Sequence, residues 1–155
     1  WLTLNFPADT IQKQPVAPPA LLEALGEVTP IEIWRGKTDY MVVVETEAQV
    51  RDLRPDIIIL STVPARGIIV TARGEDCDFV SRFFAPQSGI AEDPVTGSAH
   101  TTLTPYWAVQ SGNTTFEAKQ ISARGGFLKT RLMDDDRVEI SGQVRLYLKG
   151  NIEIG

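Results

Sequence analysis

Between Gly97 and Gln110 the chain reads Gly-Ser-Ala-His-Thr-Thr-Leu-Thr-Pro-Tyr-Trp-Ala-Val-Gln and carries no Asp, Glu, Lys or Arg. It reads as the longest helix, closed by Gly112, since glycine just past the last turn is a common helix stop. A helix without a charged face has nothing to offer water, so protein has to surround it. Ala99, Leu103, Tyr106, Trp107 and Val109 are its expected core side chains. Pro105 breaks the local rule, because proline removes a backbone hydrogen bond and kinks a helix. Either an enclosed helix tolerates that kink, or the first turn is separate and the regular helix begins at Pro105.

The remaining chain is mostly strand-like. Trp1 to Phe6 alternates apolar and polar residues and ends at Pro7, a strand signal. Asp9 to Pro18 reads as a surface connection, and Pro19 to Leu25 as a short helix with Pro at its entry and Gly26 past its end. Ile31 to Trp34 and Tyr40 to Glu45 form an expected hairpin across Arg35 to Asp39, and Met41 to Val44 suits a strand covered on both faces. Thr46 to Leu53 is an expected helix capped by Thr46 and stopped by Pro55. Asp56 to Leu60 is too short for periodicity to separate helix from strand. Strands are expected at Gly67–Ala72 and Cys77–Phe84, then a loop at Pro86–Thr96. Four more strands are expected at Thr115–Ser122, Gly126–Leu132, Arg137–Ile140 and Gln143–Lys149. Many strands around one enclosed helix give an α+β class: a curved, mostly antiparallel, barrel-like sheet wrapped around a central helix.

Composition narrows the function. With 155 residues the chain fits one domain. A net charge of −5 argues against nucleic acid, which wants a basic face. A single cysteine, Cys77, and a single histidine, His100, leave no disulfide and no cysteine- or histidine-rich metal site. Cys77 reads as a buried thiol in a strand. No apolar run reaches the ~20 residues of a membrane helix, and no signal peptide is visible. A cytoplasmic protein without membrane or nucleic-acid partners is expected. The opening Trp-Leu-Thr-Leu, without an initiator Met, reads as the middle of a strand and suggests a fragment.

The chemistry concentrates just before the enclosed helix, in Glu92-Asp93-Pro94-Val95-Thr96-Gly97-Ser98-Ala99. A loop that opens a helix points free N–H groups at whatever lies before it, which suits an anion such as a carboxylate. Thr96, Gly97, Ser98 and Ala99 are the candidate binding residues. Ser98 either caps the helix or donates to a ligand. Gly97 permits close approach to backbone. Asp93, held extended by Pro94, is either an acid/base group at the same mouth or a turn-forming residue. His100 titrates nearest neutrality and either reaches the mouth or makes a structural hydrogen bond. Arg124-Gly125-Gly126 either forms an anion nest or a tight hairpin turn.

Together, Arg82-Phe83-Phe84-Ala85-Pro86, Gly89-Ile90, Glu92 through His100, Pro105-Tyr106-Trp107, Gln120 through Gly126 and Val138 through Gly142 closely resemble the phenazine biosynthesis PhzF-like isomerase family. That family is similar in fold to diaminopimelate epimerase, with two pseudo-symmetric lobes, each a curved sheet around a helix, and an active site between them. The resemblance implies that residues 1–155 are the C-terminal lobe. It also implies cofactor-independent, metal-free proton transfer on a small carboxylic acid, and homodimers.

By position, Asp93 and Ser98 match substrate-lining family residues, and Gly97, Ser98 and Ala99 match the helix mouth that receives a carboxylate. A serine is a poor carbon base, which suits an isomerase with one general base. In the family that base is a glutamate of the N-terminal lobe, in a segment resembling Glu-x-Asn-x-Ser-Glu-Thr-Ala-Phe, which this chain lacks. The chain alone is therefore expected to be inactive without that lobe as partner. A non-catalytic, protein-binding member of the same fold is the competing reading.

Overall fold

The computed structural model describes residues 1–153. Nine strands lie side by side in one sheet: β1 (Leu2–Pro7), β10 (Arg137–Gly142), β9 (Gly126–Leu132), β8 (Thr115–Gln120), β6 (Phe79–Ala85), β5 (Gly67–Arg73), β4 (Asp39–Val43), β3 (Glu32–Arg35) and β2 (Gln12–Lys13). The short β7 (Ile90–Asp93) pairs with β6 off this path. The β4–β5 and β6–β8 pairings are parallel and the others antiparallel.

Connectivity forces the sheet to curl. Laid flat, nine strands would separate β1 from β2 by about 38 Å, at ~4.8 Å per strand. Pro7 and Gln12 are joined by only Ala8 to Ile11, a link that reaches about 18 Å when fully extended. The two edges are therefore drawn together around whatever fills the interior.

That filler is α4 (Ala99–Ser111), continuous through Pro105 and closed by Gly112 in the left-handed conformation at φ 76°. Its Ala99, Leu103, Tyr106 and Trp107 pack with Met41, Val43, Ile69, Phe79, Phe83 and Phe116. Trp107 stacks on Phe79 with ring centroids 5.7 Å apart and donates its Nε1–H to Thr71 Oγ1 at 3.2 Å. Tyr106 donates its hydroxyl to Glu32 Oε2 at 2.9 Å. Val109, expected in the core, is 83% exposed. It lies in the last turn, where α4 emerges beyond the sheet.

The outer face of β4 to β6 carries a second layer: α1 (Pro19–Leu25), α2 (Glu47–Asp52) and α3 (Ile57–Leu60). Leu21, Val50, Leu53 and Leu60 bury against Val42, Ile68, Val70, Val80 and Phe84. Strands β4 to β6 are thus covered on both faces, which explains their unbroken apolar runs. Thr46 caps α2 in a full capping box with Gln49. Asp56 caps α3 by accepting from the Ile58 and Ile59 amides, so the ambiguous segment after Pro55 is a helix.

Several strand assignments differ from the sequence-based expectation, Cys77 and residues 143–149 among them. Cys77 lies in the turn before β6, partly buried, its Sγ donating to Phe79 O at 3.3 Å. Burial pushes the thiol up to about 11. Residues 143–149 form no strand, and Val144, Leu146, Tyr147 and Leu148 are exposed. Their alternating pattern finds no neighbouring strand among the described residues, and β propensity has little force without one.

Candidate functional site

The loop before α4 is held from below by one buried amide side chain. Gln120, at the end of β8 and 1% exposed, accepts from Thr96 N at 2.7 Å and donates to Asp93 O at 2.6 Å. Thr96 is buried and donates its hydroxyl to Asp93 Oδ2 at 2.5 Å. Asp93 therefore makes a turn-forming contact, half-buried at the end of β7, with one carboxylate oxygen tied to the loop.

Beyond this anchored section the tip opens. Gly97 and Ser98 are exposed and Ala99 starts the helix. The first helical amides that find backbone acceptors are His100 N, to Gly97 O at 3.0 Å, and Thr101 N, to Ser98 O at 3.2 Å. The N–H groups of Gly97, Ser98 and Ala99 have no protein acceptor among the described residues. Three unclaimed amides at a helix start make the positive end of the helix dipole available to an anion.

A cavity of about 530 Å³ lies against this tip, within the size range of small-molecule sites. Ser98, just before α4, and Thr101 and Thr102 within it line one side, Phe6, Pro7, Ala8 and Asp9 line another from the end of β1, and Lys37, Asp39 and Arg66 line a third from the β4–β5 side. Asp9 ties the wall together. Its carboxylate accepts from Thr102 Oγ1 at 2.9 Å and from Lys37 N at 3.2 Å, and its amide donates to Thr101 O at 3.0 Å. Gly36 leaves room for that carboxylate, since a Cβ there would lie 2.1 Å from Asp9 Oδ2.

Ser98 does not cap the helix. Its side chain makes no capping bond, and its Oγ accepts instead from Arg66 Nη1 at 3.1 Å. Arg66 in turn forks onto Asp39, with Nε 2.9 Å from Oδ1 and Nη2 bonded to Oδ2. Asp39 is 2% exposed. From the sequence alone Asp39 reads as part of a turn and Arg66 carries no role. The two are far apart in the chain and meet only because β4 and β5 pair in parallel, with Asp39 opposite Gly67.

His100 does not line the mouth. Its ring is fully buried, with Nδ1 2.9 Å from Thr96 O and Phe79 at 6.0 Å between centroids. Desolvation lowers its pKa to about 4, so it is a neutral core residue near pH 7. Helical spacing explains this: His100 shares the inward face with Leu103 and Trp107. Arg124 and Gly125 form the β8–β9 turn rather than a wall of the cavity. Gly125 sits at φ 69°, and its amide donates to Ser122 Oγ at 3.0 Å. Gly126 lets the turn press against the site loop, since a Cβ there would lie 2.4 Å from Val95 Cγ2. Asp93 and the Arg124–Gly126 turn support the loop, while Gly97 and Ser98 form its exposed tip and Ala99 is buried behind them.

The architecture is a curved α+β sheet closed around a helix whose amino end opens on a cavity. Residues 5–150 match the model of the PhzC-PhzF family, described as phenazine biosynthesis-like protein, and the chain belongs to that family. It is 46% identical, over 99% of its length, to an uncharacterized isomerase of Pseudomonas aeruginosa, of which it covers 58%. A second uncharacterized isomerase, from Halalkalibacterium halodurans, is 38% identical over 98% of this chain and 57% of its own length. Among solved structures, a phenazine biosynthesis protein of the PhzF family from Enterococcus faecalis superposes with a TM-score of 0.87 at 39% identity, covering 98% of this chain and 57% of that one. The chain thus spans less than two-thirds of the relatives it matches.

Proposed function

We propose that this chain is the C-terminal lobe of a cofactor-independent isomerase that moves a proton between carbon atoms of a small carboxylic acid. The observation that carries this reading is the set of unclaimed Gly97, Ser98 and Ala99 amides at a helix start whose Ser98 lines a cavity of ligand size. The relatives named as isomerases, which match nearly the whole chain, support the same class.

In this account the substrate carboxylate sits on the α4 tip, and its carbon skeleton lies along Phe6, Pro7 and Ala8. A glutamate of the second lobe takes the proton from one carbon and returns it to another, so no atom is gained or lost. Negative charge that develops next to the carboxylate is stabilised by the helix end, an effect of a few kcal/mol when the donors are already in place. Ser98 contributes a hydrogen bond rather than a base, because a serine hydroxyl does not ionise near neutrality. Asp93, tied to Thr96, orients the substrate through the tip that it holds rather than by lining the cavity. Leu2, Leu4 and Phe6 on the edge strand β1 are exposed and suit contact with the other lobe.

The experiment uses the two-lobe protein. Candidate carboxylic acids are incubated in deuterated water, and incorporation at carbon is read by mass spectrometry. Ser98→Ala should lower turnover while leaving the melting temperature intact, and Asp93→Asn should lower turnover as well. Normal turnover in both would overturn the site assignment. Full turnover by residues 1–155 alone would overturn the need for a second lobe.

A further inference from the structure

A serine at a helix start ordinarily accepts a hydrogen bond from the first turn of its own helix. Ser98 instead has helical backbone, at φ −62° and ψ −27°, makes no capping bond, and accepts from Arg66. The guanidinium is fixed from several sides. It forks onto the buried Asp39 carboxylate, its own backbone amide donates to Thr38 O at 2.9 Å, and its carbon lies 5.5 Å from the centre of the Phe83 ring. The Asp39 hydrogen bonds also raise the Arg66 pKa, so the group stays charged at any working pH.

A hydroxyl has one proton to give and lone pairs to receive. With a lone pair committed to Arg66, the Ser98 proton is left to donate, and it has no acceptor among the described residues. The exposed hydroxyl lines the same cavity as Arg66. We propose that Arg66, held by Asp39, is a positioning residue that orients the Ser98 hydroxyl as a hydrogen-bond donor for the substrate carboxylate. This rests on the anion site argued above. Because Asp39 neutralises the guanidinium, Arg66 supplies direction to Ser98 rather than net charge to the cavity.

The test uses sodium benzoate as the probe anion and titration calorimetry on the unaltered chain, Ser98→Ala, Arg66→Gln, Arg66→Lys and the Arg66→Gln/Ser98→Ala pair. Arg66→Lys keeps a cation beside Asp39 if Arg66→Gln folds poorly, yet an ammonium cannot serve Asp39 as a fork and reach Ser98 at once. Loss of one charge-assisted hydrogen bond predicts about tenfold weaker binding in each single variant. The pair should bind no more than about twofold weaker than Ser98→Ala alone, because both changes remove one coupled interaction. Scalar couplings should report one Ser98 χ1 rotamer in the unaltered chain and a mixture in the Arg66 variants. Additive losses in the pair, or a Ser98 rotamer unmoved by Arg66 substitution, overturn the inference. Undiminished benzoate binding in every Arg66 variant overturns it while leaving the anion site standing. Binding undiminished in Ser98→Ala overturns the inference, and no binding to the unaltered chain overturns the anion site and the inference with it.

Discussion

Gln120 holds the site loop in place, and replacing it with leucine tests how much of the mouth is preorganised. The leucine fills most of the same space but offers no polar atoms. Thr96 N–H then loses its acceptor at 2.7 Å and Asp93 C=O its donor at 2.6 Å, at a position 1% exposed. Leaving a buried polar group unpaired costs about 1–3 kcal/mol, so two such groups predict a loss of about 3 kcal/mol after partial relaxation. For a chain of this size that lowers the melting temperature by about 6–12 °C. Urea unfolding followed by tryptophan fluorescence measures the first quantity, and calorimetry the second. Hydrogen exchange adds a local readout: the Thr96 amide should be protected in the unaltered chain and exchange much faster in Gln120→Leu. A stability loss below about 1 kcal/mol, with Thr96 exchange unchanged, would refute the claim that Gln120 holds the loop.

Other expectations concern the frame. Gly67→Ala would place a Cβ 2.2 Å from Phe83 Cζ, and overpacking of this kind should destabilise by about 1–3 kcal/mol in urea titrations. Leu103→Ala, at a fully buried position on α4, should lose about 2–5 kcal/mol. Val109→Lys, on the exposed end of the same helix, should stay within about 0.5 kcal/mol of the parent. His100 has a folded pKa lowered from 6.5 to about 4 by burial, so the unfolded chain binds its proton first as pH falls. Stability should therefore decline as pH drops from about 6.5 towards 4, by up to about 3 kcal/mol from this group. Denaturation at several pH values should give a flatter profile for His100→Phe.

What the sequence discloses depends on how local the cause is. Helix α1 is read to its ends because Pro19 and Gly26 punctuate it, and α2 because Thr46 caps its start and Pro55 follows its end. The absence of charge from Gly97 to Gln110 leads to the enclosed helix and the curled sheet. Strand β7 escapes because Ile90–Asp93 is short, half-exposed and flanked by Gly89 and Pro94, so only its pairing to β6 defines it. The 143–149 segment misleads for the opposite reason: it alternates like a strand but lacks a partner among the described residues. At the site, the exposed tip is legible because an anion-receptive helix start is a local feature. Asp39, Arg66 and Gln120 are not, because the β4–β5 and β6–β8 pairings bring them to the loop from distant parts of the chain.

Amide shifts of the isotope-labelled chain, followed during a benzoate titration, test the central claim most directly. If the α4 tip receives a carboxylate, the Gly97, Ser98 and Ala99 resonances move together and saturate with one affinity, while Arg124 and Gly125 in the β8–β9 turn stay near their starting positions. Resonances of 97–99 that stay fixed while shifts appear elsewhere on the surface would contradict it.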